Sequence, residues 1–237
     1  MAIAALLRAA LNPFIDFIYP PVCLTCKHIL AEREERICSR CWDSFTTLDP
    51  SGGRISDIRM RFLMDGFVSD CLSCYSFEKE GRFQEVIHLL KYGGMSSLGV
   101  QLGREIGRTI RSDQRFAAAD LVVPVPLHSL KKRERGYNQC DYLCHGISEV
   151  VHIPVERSLL VRTRYTESQT QLSVGKRKEN VEGAFSIKPR CAAMLKGKVI
   201  MVVDDVITTG ATIAACARVI FEHGASSVLA ASAGLAS

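Results

Sequence analysis

The run Val202-Val203-Asp204-Asp205-Val206-Ile207-Thr208-Thr209-Gly210-Ala211-Thr212 constrains this chain more than any other stretch of its 237 residues. Lys198-Val199-Ile200-Met201 leads into it as an apolar, β-branched run, which reads as a buried strand. Ile213 to Ile220 follows with helical periodicity, and Gly224 is the expected C-terminal stop. A buried strand, an acid pair, a Thr/Gly turn and a helix start therefore fall in one order. The turn and the first helical turn offer backbone N–H groups and hydroxyls to a phosphate, which the helix dipole also favours. Asp204 and Asp205 lie upstream, where they would repel that phosphate but accept hydrogen bonds from sugar hydroxyls. A ligand with a phosphate at one end and a diol at the other satisfies both halves. The competing reading is a strand that ends in a solvated acidic turn before a capped helix.

The length allows one sizeable α/β core and a small appendage. Hydrophobic residues at 47% and charged residues at 23% are ordinary for a folded domain, and a net charge of +5 permits contact with phosphates or nucleic acid without demanding it. No apolar run reaches the length of a membrane span. The N-terminal stretch carries Leu6, Leu7, Leu11, Phe14, Ile15 and Ile18, interrupted by Asn12, Pro13 and Asp16. It lacks the charged n-region of a signal peptide and reads as an amphipathic helix over 1–22, packed on the body, with peripheral membrane contact as the alternative. Ten cysteines without a secretion signal point to thiols and metal in a cytoplasmic protein.

Cys23-Leu24-Thr25-Cys26 and Cys38-Ser39-Arg40-Cys41 form two C-x2-C knuckles with eleven residues between them. Four thiolates at this spacing suit one tetrahedral structural zinc, and the polar Lys27 to Ile37 suits a loop hanging from a metal clamp. The module, 23–48, is too short for its own core, so metal binding would supply much of its folding free energy. The alternative is four reduced, partly buried cysteines. Cys71-Leu72-Ser73-Cys74 repeats the spacing but runs into an alternating Tyr75 to Glu78 pattern, which makes it a strand with packed cysteines rather than a metal site. Asp49 to Asp57, with Pro50, Gly52 and Gly53, reads as a linker, placing the main domain at 60–237.

A helix from Gly81 to Tyr92 and a second with Leu98, Leu102, Ile106 and Ile110 on one stripe follow. His88, on the first, reads as a partly buried structural residue. Leu121 to Leu127 is a further apolar strand, followed by Lys131, Lys132, Arg133, Arg135 and then Gly136. Cations delivered at a strand end could receive a pyrophosphate, the arginines bidentately; a solvated basic helix start is the competing reading. Cys140 and Cys144 read as core residues of the next helix. Arg162 to Asn180, including Arg177, is polar and basic, and reads as a loop that could close over a charged ligand as a lid. The last strand is expected at Ser226 to Ser232.

The run at Asp204 resembles the phosphoribosyl-pyrophosphate (PRPP) signature of type I phosphoribosyltransferases. A closer resemblance comes from motifs in order: paired CxxC knuckles, LKY at Leu90 to Tyr92, VVPVPL, RxRGYNQ at Arg133 to Gln139, RTRxTxxQ from Arg162, RKEN from Arg177, and VVDDVITTGAT. Together these resemble the ComF family. The resemblance implies a type I phosphoribosyltransferase fold, a parallel sheet flanked by helices, with an N-terminal zinc knuckle. It also implies a role in natural transformation, with single-stranded DNA and DNA-uptake proteins as partners. On that reading Thr208, Thr209, Gly210, Ala211 and Thr212 hold the 5-phosphate of PRPP, and Asp204 and Asp205 hold the ribose diol. Magnesium accompanies the pyrophosphate, and Arg133, Arg135, Arg162 and Arg177 stabilise it. The second reading is a PRPP-sensing or single-strand-binding factor without turnover; against it, aromatics for base stacking are only 7% of residues.

Overall fold

The computed structural model of the protein describes residues 20–164 and 183–236. The expected helix over 1–22 and the loop from Arg162 to Asn180 therefore lie largely outside the described residues. In chain order the elements are α1 (Ser39–Asp43), α2 (Gly53–Asp65), β1 (Asp70–Phe77), α3 (Arg82–Tyr92), α4 (Ser96–Arg111) and α5 (Gln114–Ala117). They continue with β2 (Leu121–Pro124), α6 (Ser129–Arg135), α7 (Gln139–Val151), β3 (Leu160–Arg162) and β4 (Phe185–Ile187). A 3-10 helix over Pro189–Leu195 precedes β5 (Val199–Ile207), α8 (Ala211–Glu222) and β6 (Ser227–Ala236).

The chain divides into two units, Met1–Phe45 and Thr46–Ser237. In the first, short-range bonds tie the described residues together. Cys23 N–H donates to His28 O at 2.8 Å, and Leu24 N–H donates to Arg36 O at 2.9 Å. The Glu34 carboxylate takes the N–H groups of Ala31 at 2.9 Å and Ser39 at 2.7 Å, which fixes the entry into α1.

The second unit is built on a four-stranded parallel sheet in the order β1-β6-β5-β2, with β3 and β4 as a separate antiparallel pair. β5 and β6 are interior strands, so their side chains are covered on both faces, as the near-continuous apolar runs require. Residues alternate between the faces. Ile200, Val202, Val228 and Ala230 join Ile55, Ile58 and Phe62 of α2 and Ile213, Cys216 and Ile220 of α8 in one core cluster. Met201, Val203, Leu229 and Ala231, buried on the alternate face, lie where α4 and α7 pack against each other and against the sheet.

Most expected elements are present, with four differences. Asp49 to Asp57 is not a free linker: it turns at Gly52, whose N–H bonds Asp49 O at 2.9 Å, and enters α2 at Gly53. The last strand runs on to Ala236, because Gly234 and its small neighbours fit beside Phe83 and Phe77. The basic stretch after β2 forms a short helix, α6, before the left-handed Gly136. His88 is exposed and stacks on Tyr92 at 4.8 Å, since it falls on the solvent side of α3. Cys71 and Cys74 are buried in β1, and Cys140 and Cys144 in α7, as packing residues.

The α4–α7 contact depends on glycine. A Cβ on Gly103 would stand 2.2 Å from Leu143 O, and one on Gly146 2.1 Å from Val100 O. Backbone against backbone leaves no flexible side chain to yield, so Gly103→Ala must push the helices apart. The expected cost is about 1–3 kcal/mol in a denaturant titration. Gly53→Ala, where a Cβ meets nothing within 4 Å, should leave the midpoint almost unchanged.

Candidate functional site

In the N-terminal unit the sulfurs of Cys23, Cys26, Cys38 and Cys41 all lie within 4.8 Å of one another, and the Cys26 and Cys38 sulfurs are 3.7 Å apart. A tetrahedron with metal–sulfur bonds of about 2.3 Å has edges of about 3.8 Å, so the cluster fits zinc. Burial disfavours a Cys23 thiolate, but N–H groups of Cys26, Cys38 and Thr25 outweigh it and bring that thiol down to about 6. Cys38 N–H donates to the Cys23 sulfur at 3.4 Å. Backbone donors around one sulfur are what a thiolate ligand needs once its proton has left.

In the larger unit the site forms at the carboxyl end of β5, where an open parallel sheet presents its ligands. Asp204 and Asp205 are the sixth and seventh residues of the strand, so alternation sends their side chains to opposite faces. Asp204 Oδ1 accepts the Asp205 N–H at 2.8 Å, and Cys140 Sγ approaches the same oxygen at 3.5 Å from the first turn of α7. Burial and then the Asp205 charge push the Asp204 carboxyl up to about 7. Burial likewise pushes the Cys140 thiol up, so it faces Asp204 as a neutral donor. Asp205, 4% exposed, accepts the Val206 N–H at 2.9 Å through one oxygen. Its other oxygen meets the Lys91 ammonium at 2.7 Å.

The turn that follows has the conformation its sequence suggests. Gly210 is left-handed, with φ 81°, and caps α8. A Cβ there would stand 2.7 Å from the Phe62 ring and 3.0 Å from Ile58, so sterics and backbone both require glycine. Thr209 Oγ1 accepts the Ala211 N–H at 3.5 Å. Thr208, Thr212 and Ala211 are half-buried around the start of the helix.

The predicted cations separate. Arg135 is half-buried, donates to Gln139 Oε1 at 2.5 Å and lies 5.2 Å above the Tyr92 ring. Arg133 points to solvent from α6. Arg162 ends β3 and stacks 5.3 Å from the Phe185 ring. Arg177 lies outside the described residues. Lys131 titrates below its usual range because of burial, then Arg162 and Arg135. The geometry thus gathers Arg135, Arg162 and Lys131 toward one space and leaves Arg133 out.

The residue that sequence reasoning missed is Lys91. Its motif, LKY, was visible, but on a helix a lone lysine after an apolar stripe reads as solvated. Only the fold brings it to Asp205.

The two sites are an interior strand of a parallel sheet that ends in an acid pair and a Thr-Gly turn, and a four-cysteine module that precedes it in the chain. Residues 14–52 match the model of the double zinc ribbon domain. That stretch holds these four cysteines and no others, enough for one tetrahedral zinc. The chain is 34% identical over 146 residues to the DNA utilization protein YhgH of Escherichia coli (strain K12), covering 60% of this chain and 63% of that protein. It is 26% identical over 209 residues to Competence protein F of Haemophilus influenzae, covering 81% and 86% of the two chains. A solved structure similar to it is the glutamine PRPP amidotransferase of B. subtilis complexed with ADP and GMP. There the TM-score is 0.37 with 24% identity, over 56% of this chain and 26% of that one. The chain is thus similar to a competence protein and to a DNA utilization protein, and its match spans less than two thirds of the length of the latter.

Protein purified without chelator should carry about one zinc per chain by elemental analysis. Cys23→Ser should lose most of it and loosen residues 20–45 in hydrogen exchange. Because Asp204 ionises near 7 when folded and near 3.8 otherwise, the folded state holds the extra proton between those values. Stability should therefore fall as pH rises through this window, by at most about 1.4 kcal/mol per unit. Asp204→Asn should flatten that slope in urea titrations from pH 4 to 8 and be the more stable protein at pH 8.

Proposed function

We propose that this protein binds PRPP with magnesium, and that it acts in DNA uptake as a ComF-family member. The observation that carries the reading is the order of groups along one strand end. A Thr/Gly turn at a helix start, a pair of carboxylates and a set of cations adjoin one another, matching the phosphate, diol and pyrophosphate of one ligand. Thr208, Thr209, Gly210, Ala211 and Thr212 take the 5-phosphate, whose charge the first turn of α8 favours. Asp204 and Asp205 take the ribose hydroxyls as acceptors. Arg135 and Arg162 stand toward the pyrophosphate, whereas Arg133 points to solvent and Arg177 lies outside the described residues. Magnesium, a hard cation that prefers phosphate and sugar oxygens, accompanies the ligand.

The DNA part of the reading is supported by the names of relatives, one a competence protein and one a DNA utilization protein. No helix among the described residues is long and apolar enough to cross a membrane. Transfer chemistry would displace pyrophosphate at the anomeric carbon, and the cations would stabilise it as it leaves.

Calorimetry should show PRPP binding that requires magnesium. Asp204→Asn with Asp205→Asn should weaken it at least about tenfold, the loss expected for charged hydrogen bonds. Unchanged affinity in a folded double variant would sink the reading. Pyrophosphate release, measured with a panel of bases and amines and with or without single-stranded DNA, separates turnover from sensing.

A further inference from the structure

We propose that Cys140 is a positioning residue of the site, its thiol holding one oxygen of Asp204 so that the other is presented to a sugar hydroxyl of the ligand. This deepens the PRPP reading above and rests on it.

Asp204 stands near the end of an interior strand, and its Oδ1 takes two donors. One is local, the Asp205 N–H at 2.8 Å. The other is the Cys140 thiol, which approaches at 3.5 Å from a residue 64 positions away in the chain. A thiol is a weak donor, so its effect depends on the sulfur being held in place. It is held. Cys140 is 1% exposed. Its N–H donates to Asn138 Oδ1 at 3.3 Å, and Asn138 Nδ2 donates in turn to Val125 O at 3.1 Å. Further along α7, Gly146 packs so closely on the backbone of α4 that a Cβ there would stand 2.1 Å from Val100 O. The thiol cannot leave Asp204 unless the helix moves.

Electrostatics fix the direction of the bond. Burial first, then the Asp204 and Asp205 charges, push the Cys140 thiol up, so it keeps its proton and donates. A donor favours the ionised form of a carboxyl group. Burial and then the Asp205 charge favour the protonated form of Asp204, and Lys91 opposes them. Cys216 of α8 also lies near this carboxyl and is neutral, because burial and then Asp204 push its thiol up. Asp205, Lys91 and two neutral thiols are thus the titratable groups around Asp204. With Oδ1 taken twice, Oδ2 is the oxygen left to accept from a ligand hydroxyl. Without the thiol, only the adjacent N–H would orient the carboxyl, whose terminal torsion is broad. Ordering that group on binding would then cost affinity.

Calorimetry of Cys140→Ala and Cys140→Ser with two probes tests this: ribose 5-phosphate, and PRPP with magnesium. Cys140→Ala should bind both about threefold to tenfold more weakly, the loss of one hydrogen bond. Cys140→Ser, which keeps a donor, should recover most of that loss. In an Asp204→Ala background, where no acceptor remains, Cys140→Ala should cost nothing further, whereas a merely structural role would persist there. A second readout needs no ligand. Folded Asp204 keeps its proton to about 7, so stability falls as pH rises toward that value. In urea titrations from pH 4 to 9, the upper end of this fall should move to higher pH in Cys140→Ala, because the donor that favours the carboxylate is gone. In Cys140→Ser it should not rise. Wild-type affinity or an unmoved pH range in folded Cys140→Ala overturns the inference, as does a loss that persists with Asp204→Ala. If the wild-type protein binds neither probe, the PRPP reading falls and the pairing of Cys140 with Asp204 is judged on the urea titrations alone.

Discussion

The ion pair between Lys91 and Asp205 is the constraint on which the arrangement of the larger unit turns. β5 is an interior strand, and a carboxylate at its end cannot be solvated as it would be on a surface loop. A buried charge needs a partner of opposite sign, or it gives up the charge. The two aspartates have different neighbours. Asp205 meets the Lys91 ammonium at 2.7 Å. Asp204, with the Cys140 thiol and a backbone N–H at its Oδ1, rises toward neutrality through burial and the Asp205 charge.

Those contacts require α3 and α7 to reach the same strand end from different directions. The close glycine contact of α4 with α7 sets where the first turn of α7 arrives, and with it Cys140. Asn138 closes that arrival: it accepts the Cys140 N–H at 3.3 Å and donates to Val125 O at 3.1 Å, just beyond β2. The Tyr137 hydroxyl on Leu90 O joins the same turn to α3. Packing far from this strand end therefore positions the groups around it. The N-terminal unit is held differently. Among its described residues, four clustered sulfurs suited to a metal join the buried Leu30, Ile37 and Phe45.

The four-cysteine cluster was legible because C-x2-C spacing fixes geometry locally, within a few bonds of each ligand. The Asp204 to Thr212 run was legible for a similar reason, since strand, turn and helix start are contiguous and Gly210 has no substitute there. Cys71 and Cys74 were separable from the zinc ligands by the alternation of the residues that follow them. The stretch from Asp49 was misread because Gly and Pro mark turns without saying that a helix begins at the next residue. His88 was misread because one apolar stripe does not fix how wide the buried face of α3 is.

The sequence by itself determined the four-cysteine module, the buried strand with its acid pair and the Thr-Gly turn, each carried by residues adjacent in the chain. The tertiary structure alone decided which cations approach the acid pair. It turned Arg135 inward and Arg133 outward from one short helix, and it brought Lys91 across more than a hundred residues of chain to Asp205. The physical reason is that helix periodicity and strand alternation specify a side chain's direction on its own element. Its partner is set by how elements pack, through contacts such as Gly103 on Leu143 that no local pattern announces.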